Sequence, residues 1–226
     1  YLVFMSAFSC FGKSVSFSFF ILFSFLIHPS QQLYAQNNKP NVILVLADDI
    51  DYKTLSCNGG KSYNTPEIDS MAQQGIKFTQ CHSSPLCSPS RCMLLTGKYN
   101  FRNYIKWGVL DTSQKTIANL FHDAGYHTAC FGKWQLDGGA NSIKKFGFDS
   151  YCVFNPFAED QNNDRMYKNP LIYTNGNFES GSETLNKYGE DIFNDSVVQF
   201  MLKNKSNPFF IYYPMVLVHH PLQPTP

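Results

Sequence analysis

The feature that most constrains the fold of this chain is a short apolar run that stops at two acidic residues. Residues 41–49, NVILVLADD, have the length and β-branched character of a buried strand and end on Asp48 and Asp49. In a parallel α/β sheet, ligands collect outside the carboxyl ends of the strands, so we expect both carboxylates at a site. Adjacent like charges repel one another unless a cation lies between them, and oxygen ligands suit Ca2+ or Mg2+ better than zinc. On the doublet alone, two turn or cap residues after a strand are an equally good interpretation.

The rest of the chain alternates between strand and helix patterns, which predicts an α/β fold. We expect strands near residues 41, 76, 126 and 209. Thr65 is expected to cap a helix whose first turn contains Pro66, and Gly75 is expected to end it. Another helix is predicted at about 189–203, ahead of the last strand.

A further helix is predicted to end at Gly125, just before the strand at 126–131. Its apolar face is expected to consist of Ile117, Leu120, Phe121 and Ala124. The stretch 155–187 is rich in Asn, Gly, Ser and Glu, which indicates a long surface excursion and a part of the substrate rim.

Cys87 stands at the start of another predicted helix. Ser88 and Pro89, followed by an apolar run to Gly97, have the pattern of a helix start and stop. One interpretation of Cys87 is a small buried thiol at the helix start. Another is a thiolate nucleophile of the Cys-His type, whose pKa a helix N-terminus or a nearby cation would lower.

The run CSPSR at 87–91 favours a third interpretation, because it resembles the signature of the sulfatase family. In that family the cysteine of C-x-P-S-R is oxidised to formylglycine, an aldehyde whose hydrate is the nucleophile. The resemblance implies that Cys87 is the precursor of this group and that Arg91 acts against it, a role that a thiol protease does not need. Residues 40–49, PNVILVLADD, also resemble the family's first strand. This implies that Asp48 and Asp49 bind the metal together with the modified Cys87.

Residues 125–137, GYHTACFGKWQLD, are similar to the family's second signature, G-Y-x-T-x-x-x-G-K-W-H-L. Taken alone, Lys133 would be a solvated surface charge. The resemblance implies instead that it contacts the formylglycine hydrate and the sulfate. The chain departs from the pattern at Gln135, where the family has a histidine that is thought to take a proton from the hydrate. An amide donates and accepts hydrogen bonds but carries no proton away at neutral pH, so Gln135 does not supply the base for that step. Its amide group can still bind substrate.

The last matching segment is PFFIYYPMVLVHHP at 208–221, a hydrophobic strand followed by two histidines. The family has a similar strand that ends in H-x-P, and its histidine reaches the sulfate ester oxygen. His219 matches this histidine because Pro221 follows at the same spacing. We expect His220 to be an ordinary loop residue.

The resemblance implies the three-layer α/β sandwich of the alkaline-phosphatase-like superfamily, with a mostly parallel central sheet that is incomplete in this chain. It implies hydrolysis of a sulfate ester on a small molecule or polysaccharide, with Ca2+ or Mg2+ and a formylglycine-generating maturase as partners. Sulfatases also use an Asp-Asn pair and a further lysine downstream, which do not occur after Pro221, so we expect the C-terminal part to be missing and this chain alone to be inactive. Two alternatives stay open, a phosphonate or phosphate ester hydrolase of the same superfamily and a non-catalytic sulfatase-like protein that binds glycans.

The two ends of the chain define its expected domains. Residues 1–35 read as a secretory signal region, with Lys13 ahead of an apolar run at 15–27 and a small-residue cleavage site around Ala35. Residues 36–226 are then the N-terminal portion of the catalytic domain, in a secreted or periplasmic protein without stable membrane association after cleavage.

Charge and cysteine content exclude several other classes. The chain has 18 basic and 17 acidic residues and no basic run, so we expect no nucleic-acid partner. Of its 7 cysteines, Cys10 lies in the signal region and Cys87 is assigned to the modification. The rest show no CxxC pair, which argues against a zinc or redox site and does not imply a disulfide framework.

Overall fold

The computed structural model describes residues 39–106, 108–136, 139–156 and 165–226, so the predicted signal region lies outside the described residues. Eight strands are described there: β1 (Val42–Leu46), β2 (Tyr104–Lys106), β3 (Val109–Leu110), β4 (His127–Lys133), β5 (Ser150–Phe154), β6 (Ile172–Thr174), β7 (Asn177–Phe178) and β8 (Phe209–Pro214). The helices of the same ranges are α1 (Pro66–Gln74), α2 (Cys87–Thr96), α3 (Ile117–Asp123), α4 (Gly139–Lys145), α5 (Gly181–Thr184) and α6 (Gly189–Lys203).

Six strands form one mixed sheet in the order β1-β8-β4-β5-β6-β7, and β2 and β3 form a separate antiparallel pair. The pairs β1–β8, β8–β4 and β4–β5 are parallel, whereas β6 and β7 add in antiparallel fashion. Val42 pairs with Phe210 and Leu46 with Pro214, so β1 and β8 end at the same level. The carboxyl ends of β1, β8 and β4 therefore meet at one edge of the sheet.

Alternating side chains of the central strands bury two separate apolar clusters, one on each face of the sheet. In β8, Phe210 and Tyr212 belong to the cluster that includes Ala118 of α3. Ile211 of the same strand belongs to the other cluster, together with Phe193 of α6. Helices thus cover both faces, which confirms the predicted three-layer α/β architecture with a mostly parallel sheet.

The predicted strands near 41, 126 and 209 are confirmed, but the strand near 76 is wrong. The segment after α1 has no regular secondary structure, and Ile76 and Phe78 are 64% and 51% exposed. An extended segment becomes a strand only where a neighbouring strand accepts its backbone hydrogen bonds. Within the described residues this segment pairs with none.

The predicted helices are confirmed, with two local corrections. Thr65 precedes α1 as expected, but its hydroxyl makes no cap hydrogen bond and lies 2.7 Å from Ser56 Oγ instead. Leu120 of α3 is 59% exposed, whereas Ala118 is fully buried. Two residues correspond to 200° of rotation in a helix, so Leu120 lies opposite the buried Ala118.

The described part of 155–187 is largely exposed, as a surface excursion predicts, but the interpretation is wrong where the segment joins the sheet and the core; residues 157–164 lie outside the described residues. Strands β6 and β7 extend the sheet beyond β5, and Met166, Tyr167 and Ile172 are buried. A short antiparallel hairpin on a sheet edge can be rich in polar residues and still pack one face against the core.

None of the helices in the described ranges combines the length and the apolar character needed to cross a membrane.

Candidate active site

The site is built around Asp48, which follows β1 and is completely buried. Lys133, the last residue of β4, donates a hydrogen bond from Nζ to Asp48 Oδ2 at 2.5 Å. Arg91 of α2 forms an ion pair in which Nη2 lies 3.3 Å from Asp48 Oδ1. Arg91 Nη1 also donates to the carbonyl oxygen of Lys133 at 2.7 Å. One carboxylate and two cations from three different elements thus form a single buried cluster.

Burial sets the electrostatics of this cluster, because a buried charge is costly unless it is paired. The pKa of Lys133 is lowered chiefly by burial and further by Arg91, while Asp48 and Cys87 act in the opposite direction. Arg91 and Lys133 carry two positive charges against one from Asp48. This excess of positive charge favours a further anion beside the cluster.

Cys87 is the first residue of α2 and is half-buried, with the helix N-terminus and its partial positive charge at the same end. The neighbouring Ser88 donates a hydrogen bond from Oγ to the carbonyl oxygen of Gln135 at 3.3 Å. Gly97 ends the helix in the left-handed conformation, at φ 64°. The helix start and stop expected from Pro89 and Gly97 are therefore confirmed.

Asp49 and Gln135 both have positive φ, at 53° and 50°. Non-glycine residues adopt this conformation at a cost of about 1–3 kcal/mol, and such residues cluster at functional sites. The Asp49 side chain is half-exposed. The buried Oε1 of Gln135 has no hydrogen-bond partner within the described part of the chain.

His219 lies in the loop after β8, with Nε2 3.8 Å from Asp49 Oδ2. Its Nδ1 lies 2.6 Å from the carbonyl oxygen of His220, which can only accept, so Nδ1 carries the proton of the neutral ring. Burial, and next Lys133, lower the pKa of His219. Nε2 is the nitrogen that faces the acidic pair, while His220 is exposed.

The structure thus brings the sequence-predicted residues to one end of the sheet. Asp48, Arg91 and Lys133 contact one another, and His219 faces Asp49. Ser88, next to Cys87 at the start of α2, bonds the carbonyl oxygen of Gln135, which is two residues after Lys133, and Cys87 is close enough to Lys133 to affect its pKa.

The sulfatase family model matches residues 40–226. The chain belongs to the sulfatase family. An N-acetylglucosamine-6-O-sulfatase of Bacteroides thetaiotaomicron is 30% identical over 196 residues, which cover 84% of this chain and 33% of that protein. Human steryl-sulfatase is 40% identical over 123 residues, which cover 48% of this chain and 21% of that protein.

Solved structures agree with this assignment. One solved structure, of a protein in complex with its substrate D-glucosamine-2-N,6-O-disulfate, superposes on this chain with a TM-score of 0.71 and 30% identity. The match covers 83% of this chain and 36% of that one. A phosphonate monoester hydrolase of Agrobacterium radiobacter, at 21% identity and a TM-score of 0.57, shares the fold. The fold is that of the alkaline-phosphatase-like superfamily, and this sulfatase chain spans about a third of the length of the first of these relatives.

The sulfatase site offers oxygen ligands for a hard cation. Asp48 Oδ1 is buried and accepts no hydrogen bond within the described residues, although it is ion-paired with Arg91 Nη2 at 3.3 Å. Asp49 lies next to it in sequence. No group of three or more His, Cys, Asp or Glu side chains that could hold a metal occurs in the described ranges. Asp48 and Asp49 fit Ca2+ or Mg2+ as part of an oxygen ligand set.

Sequence reasoning missed two residues that support the sulfatase site, Tyr167 and Glu190. Both hold the loop that carries His219, through hydrogen bonds to its backbone. Glu190 gives no local signal, since an acidic residue in the first turn of a helix ordinarily complements the helix dipole. Tyr167 lies in the segment that was expected to be a surface excursion.

Proposed function

We propose that this chain carries the nucleophile end of a sulfatase that hydrolyses sulfate esters of a glycan, through a formylglycine made from Cys87. The observation that carries the proposal is the buried cluster of Asp48, Arg91 and Lys133 beside the N-terminus of α2. Its net positive charge and the helix N-terminus together make an anion site at the residue that the signature marks for modification.

The modified residue would supply a hydrated aldehyde: one hydroxyl would attack sulfur and displace the alcohol, and the second, on losing its proton, would expel the sulfate and re-form the aldehyde. Lys133 and Arg91 would neutralise charge that develops on the sulfate oxygens. Their own positions are fixed, because both are bonded to Asp48 and Arg91 is bonded to the Lys133 carbonyl. A fixed pair of charges needs no reorganisation during the reaction, which is where such stabilisation is most effective.

His219 would meet the ester oxygen of the substrate through Nε2, since Nδ1 is engaged with His220. Asp48 and Asp49 would hold Ca2+ or Mg2+ with the modified Cys87, and that ion would add positive charge at the sulfate. Gln135 would accept a hydrogen bond from the hydrate at Oε1, which has no partner within the described residues, and would donate one from Nε2 to the sulfate.

A glycan substrate is supported by the relatives rather than by a residue of this chain. One relative is named an N-acetylglucosamine-6-O-sulfatase, and one structural neighbour is a complex with a disulfated glucosamine. The predicted signal region supports a secreted or periplasmic location, where such polymers are met.

The test combines mass spectrometry with an activity assay. Full-length protein is produced with a formylglycine-generating maturase, and the peptide that contains residues 87–91 is analysed for an aldehyde. We expect the aldehyde at Cys87 and hydrolysis of sulfate esters in preference to phosphonate or phosphate esters. Cys87→Ala should abolish both, and Cys81→Ala, at an exposed cysteine, should change neither. An active protein with an unmodified Cys87 thiol would contradict the proposal.

A further inference from the structure

Two buried side chains outside the signature motifs hold the loop at 215–219. Glu190, in the first turn of α6, is buried, and its Oε2 accepts hydrogen bonds from the amides of Val216 at 3.0 Å and Leu217 at 3.4 Å. Its Oε1 accepts a hydrogen bond from the hydroxyl of Tyr213 at 2.5 Å. Tyr167 Oη lies 2.9 Å from the carbonyl oxygen of Val216 and 2.5 Å from that of His219.

The same loop holds the backbone of Asp48 from both sides. The amide of Asp48 donates to the carbonyl oxygen of Leu217 at 2.9 Å, and the amide of Val218 donates to the carbonyl oxygen of Asp48 at 2.7 Å. Glu190 therefore binds the amide of Leu217 while Asp48 binds the carbonyl of the same residue. A displacement of this loop would move Asp48 and His219 together.

Helix-dipole complementation does not explain the placement of Glu190. A first-turn carboxylate that serves only the dipole is solvent-exposed or bonds to the amides of its own helix. Both oxygens of Glu190 instead accept hydrogen bonds from β8 and from the loop that follows it. Burial is the main cause that raises the pKa of Glu190, and the hydrogen bonds from Tyr213, Val216 and Leu217 oppose it.

We propose that Glu190 is a positioning residue that fixes the 215–219 loop, and through it both the buried Asp48 cluster and His219. The effect on Asp48 is a property of the fold of this chain. The effect on catalysis rests on the proposed function.

Hydrogen exchange by mass spectrometry or NMR tests the structural part without any activity. In Glu190→Ala, we expect exchange of the amides of Val216–Val218 and of Asp48 to accelerate by tenfold or more, while the interior of α6 around Val197 is unchanged. Glu190→Gln keeps one oxygen acceptor and an amide that can donate to Tyr213, so it should restore part of the protection and supply a folded variant if Glu190→Ala does not fold. Asp191→Asn, at the exposed neighbouring position, should leave exchange unchanged.

An increase confined to α6, an unchanged Asp48 amide, or an equal effect of Asp191→Asn would overturn the inference.

Steady-state kinetics on a sulfate ester test the catalytic part in active protein. Glu190→Gln should lower kcat by tenfold or more with KM within about twofold, since misplacement of His219 affects the reacting geometry more than binding. A wild-type protein without sulfatase activity would remove the proposed function and leave the exchange result intact. Unchanged exchange in Glu190→Ala, together with an active wild type, would remove only the role of Glu190.

Discussion

Gln135 is the residue at which this sulfatase departs from its family's signature. The side chain has a buried oxygen that has no hydrogen-bond partner among the described residues, on a backbone with positive φ. A histidine at this position would add a group that can accept a proton, whereas the amide can only bind. The step that needs a base is therefore the one that Gln135 affects most directly.

Gln135→His should raise the steady rate of ester hydrolysis. If no other group supplies the base, the wild type should release one equivalent of alcohol in a burst and then turn over slowly, because sulfate release needs the proton transfer. Stopped-flow measurement of alcohol release resolves the two phases. Gln73→His, on the exposed face of α1, is the control for an added histidine. A linear time course in the wild type would show that another residue acts as the base.

Asp48 and Lys133 should be energetically coupled in the folded protein. Lys133→Met leaves Asp48 with less compensation and should lower the free energy of unfolding by about 3–5 kcal/mol. The double variant Asp48→Asn, Lys133→Met removes both charges and should lose less than the sum of the single variants, by at least about 1 kcal/mol. Urea denaturation of the four proteins measures this cycle. Additive losses would mean that the charges are independent of one another.

The motif residues could be predicted from the sequence because each lies beside a local signal, an apolar run or a helix start. Asp48 and Lys133 follow strand patterns, and Cys87 begins a helix with Ser88 and Pro89. Glu190 could not be predicted, because its partners are backbone amides 26 and 27 residues away, which leave no mark on its own sequence neighbourhood.

Among the secondary-structure elements, the backbones of β4 and β8 approach one another closely at Gly132. Gly132 has φ 116°, and a Cβ at this position would lie 2.1 Å from the carbonyl oxygen of Pro214. Only glycine fits such an approach between two backbones. This contact sets the separation of the two strands immediately before Lys133.

Gly132→Ala should therefore lower the free energy of unfolding by about 3 kcal/mol or more, because both the φ angle and the contact with Pro214 are violated. Thermal and urea unfolding followed by circular dichroism measure the loss. Gly176→Ala is the matched control, since Gly176 has φ 109° with no atom within 4 Å of the added Cβ. It should lose only the cost of backbone strain, about 1–2 kcal/mol. Equal losses in the two variants would contradict the role of the close approach.

Tertiary contacts explain the elements that the sequence did not predict. The segment at 76 has strand-forming residues but has no neighbouring strand to pair with in the described ranges. The stretch that contains β6 and β7 is rich in polar residues, but the two form strands because they pair onto the edge of the sheet at β5. Strand formation depends on the partner as much as on the residues themselves. Periodic elements such as α1 and α6 could be predicted, because their signals lie within the element.

At the scale of the whole molecule, β1 lies at the edge of the sheet and pairs only with β8 within the described residues. Val45 is 42% exposed there, beside a groove of about 380 Å3 between β1 and α2 that is lined in part by Leu44, Met93 and Leu94. An unpaired strand edge next to an apolar groove is a site of self-association.

Val45→Lys should reduce concentration-dependent association of this chain, because a charged side chain beside the edge opposes pairing with a second copy. Light scattering or analytical ultracentrifugation over a range of concentrations measures the effect. Leu120→Lys introduces the same charge at an exposed apolar position on α3 and should have little effect. Equal reductions by both variants would attribute association to net charge rather than to the edge of β1.

The parallel pairing of β1 with β8 also has a consequence in time. Asn41 and Phe209, which share a hydrogen bond at the start of the two strands, lie 168 residues apart in sequence. During synthesis at about 5–20 residues per second, β1 waits on the order of 10 to 30 seconds before β8 exists. Throughout that interval Asp48 lacks its bonds to the loop at 215–219, and Cys87 is part of a chain that has not closed around it. A modifying enzyme that reads a linear peptide thus has access to the cysteine before the folded protein buries its neighbours.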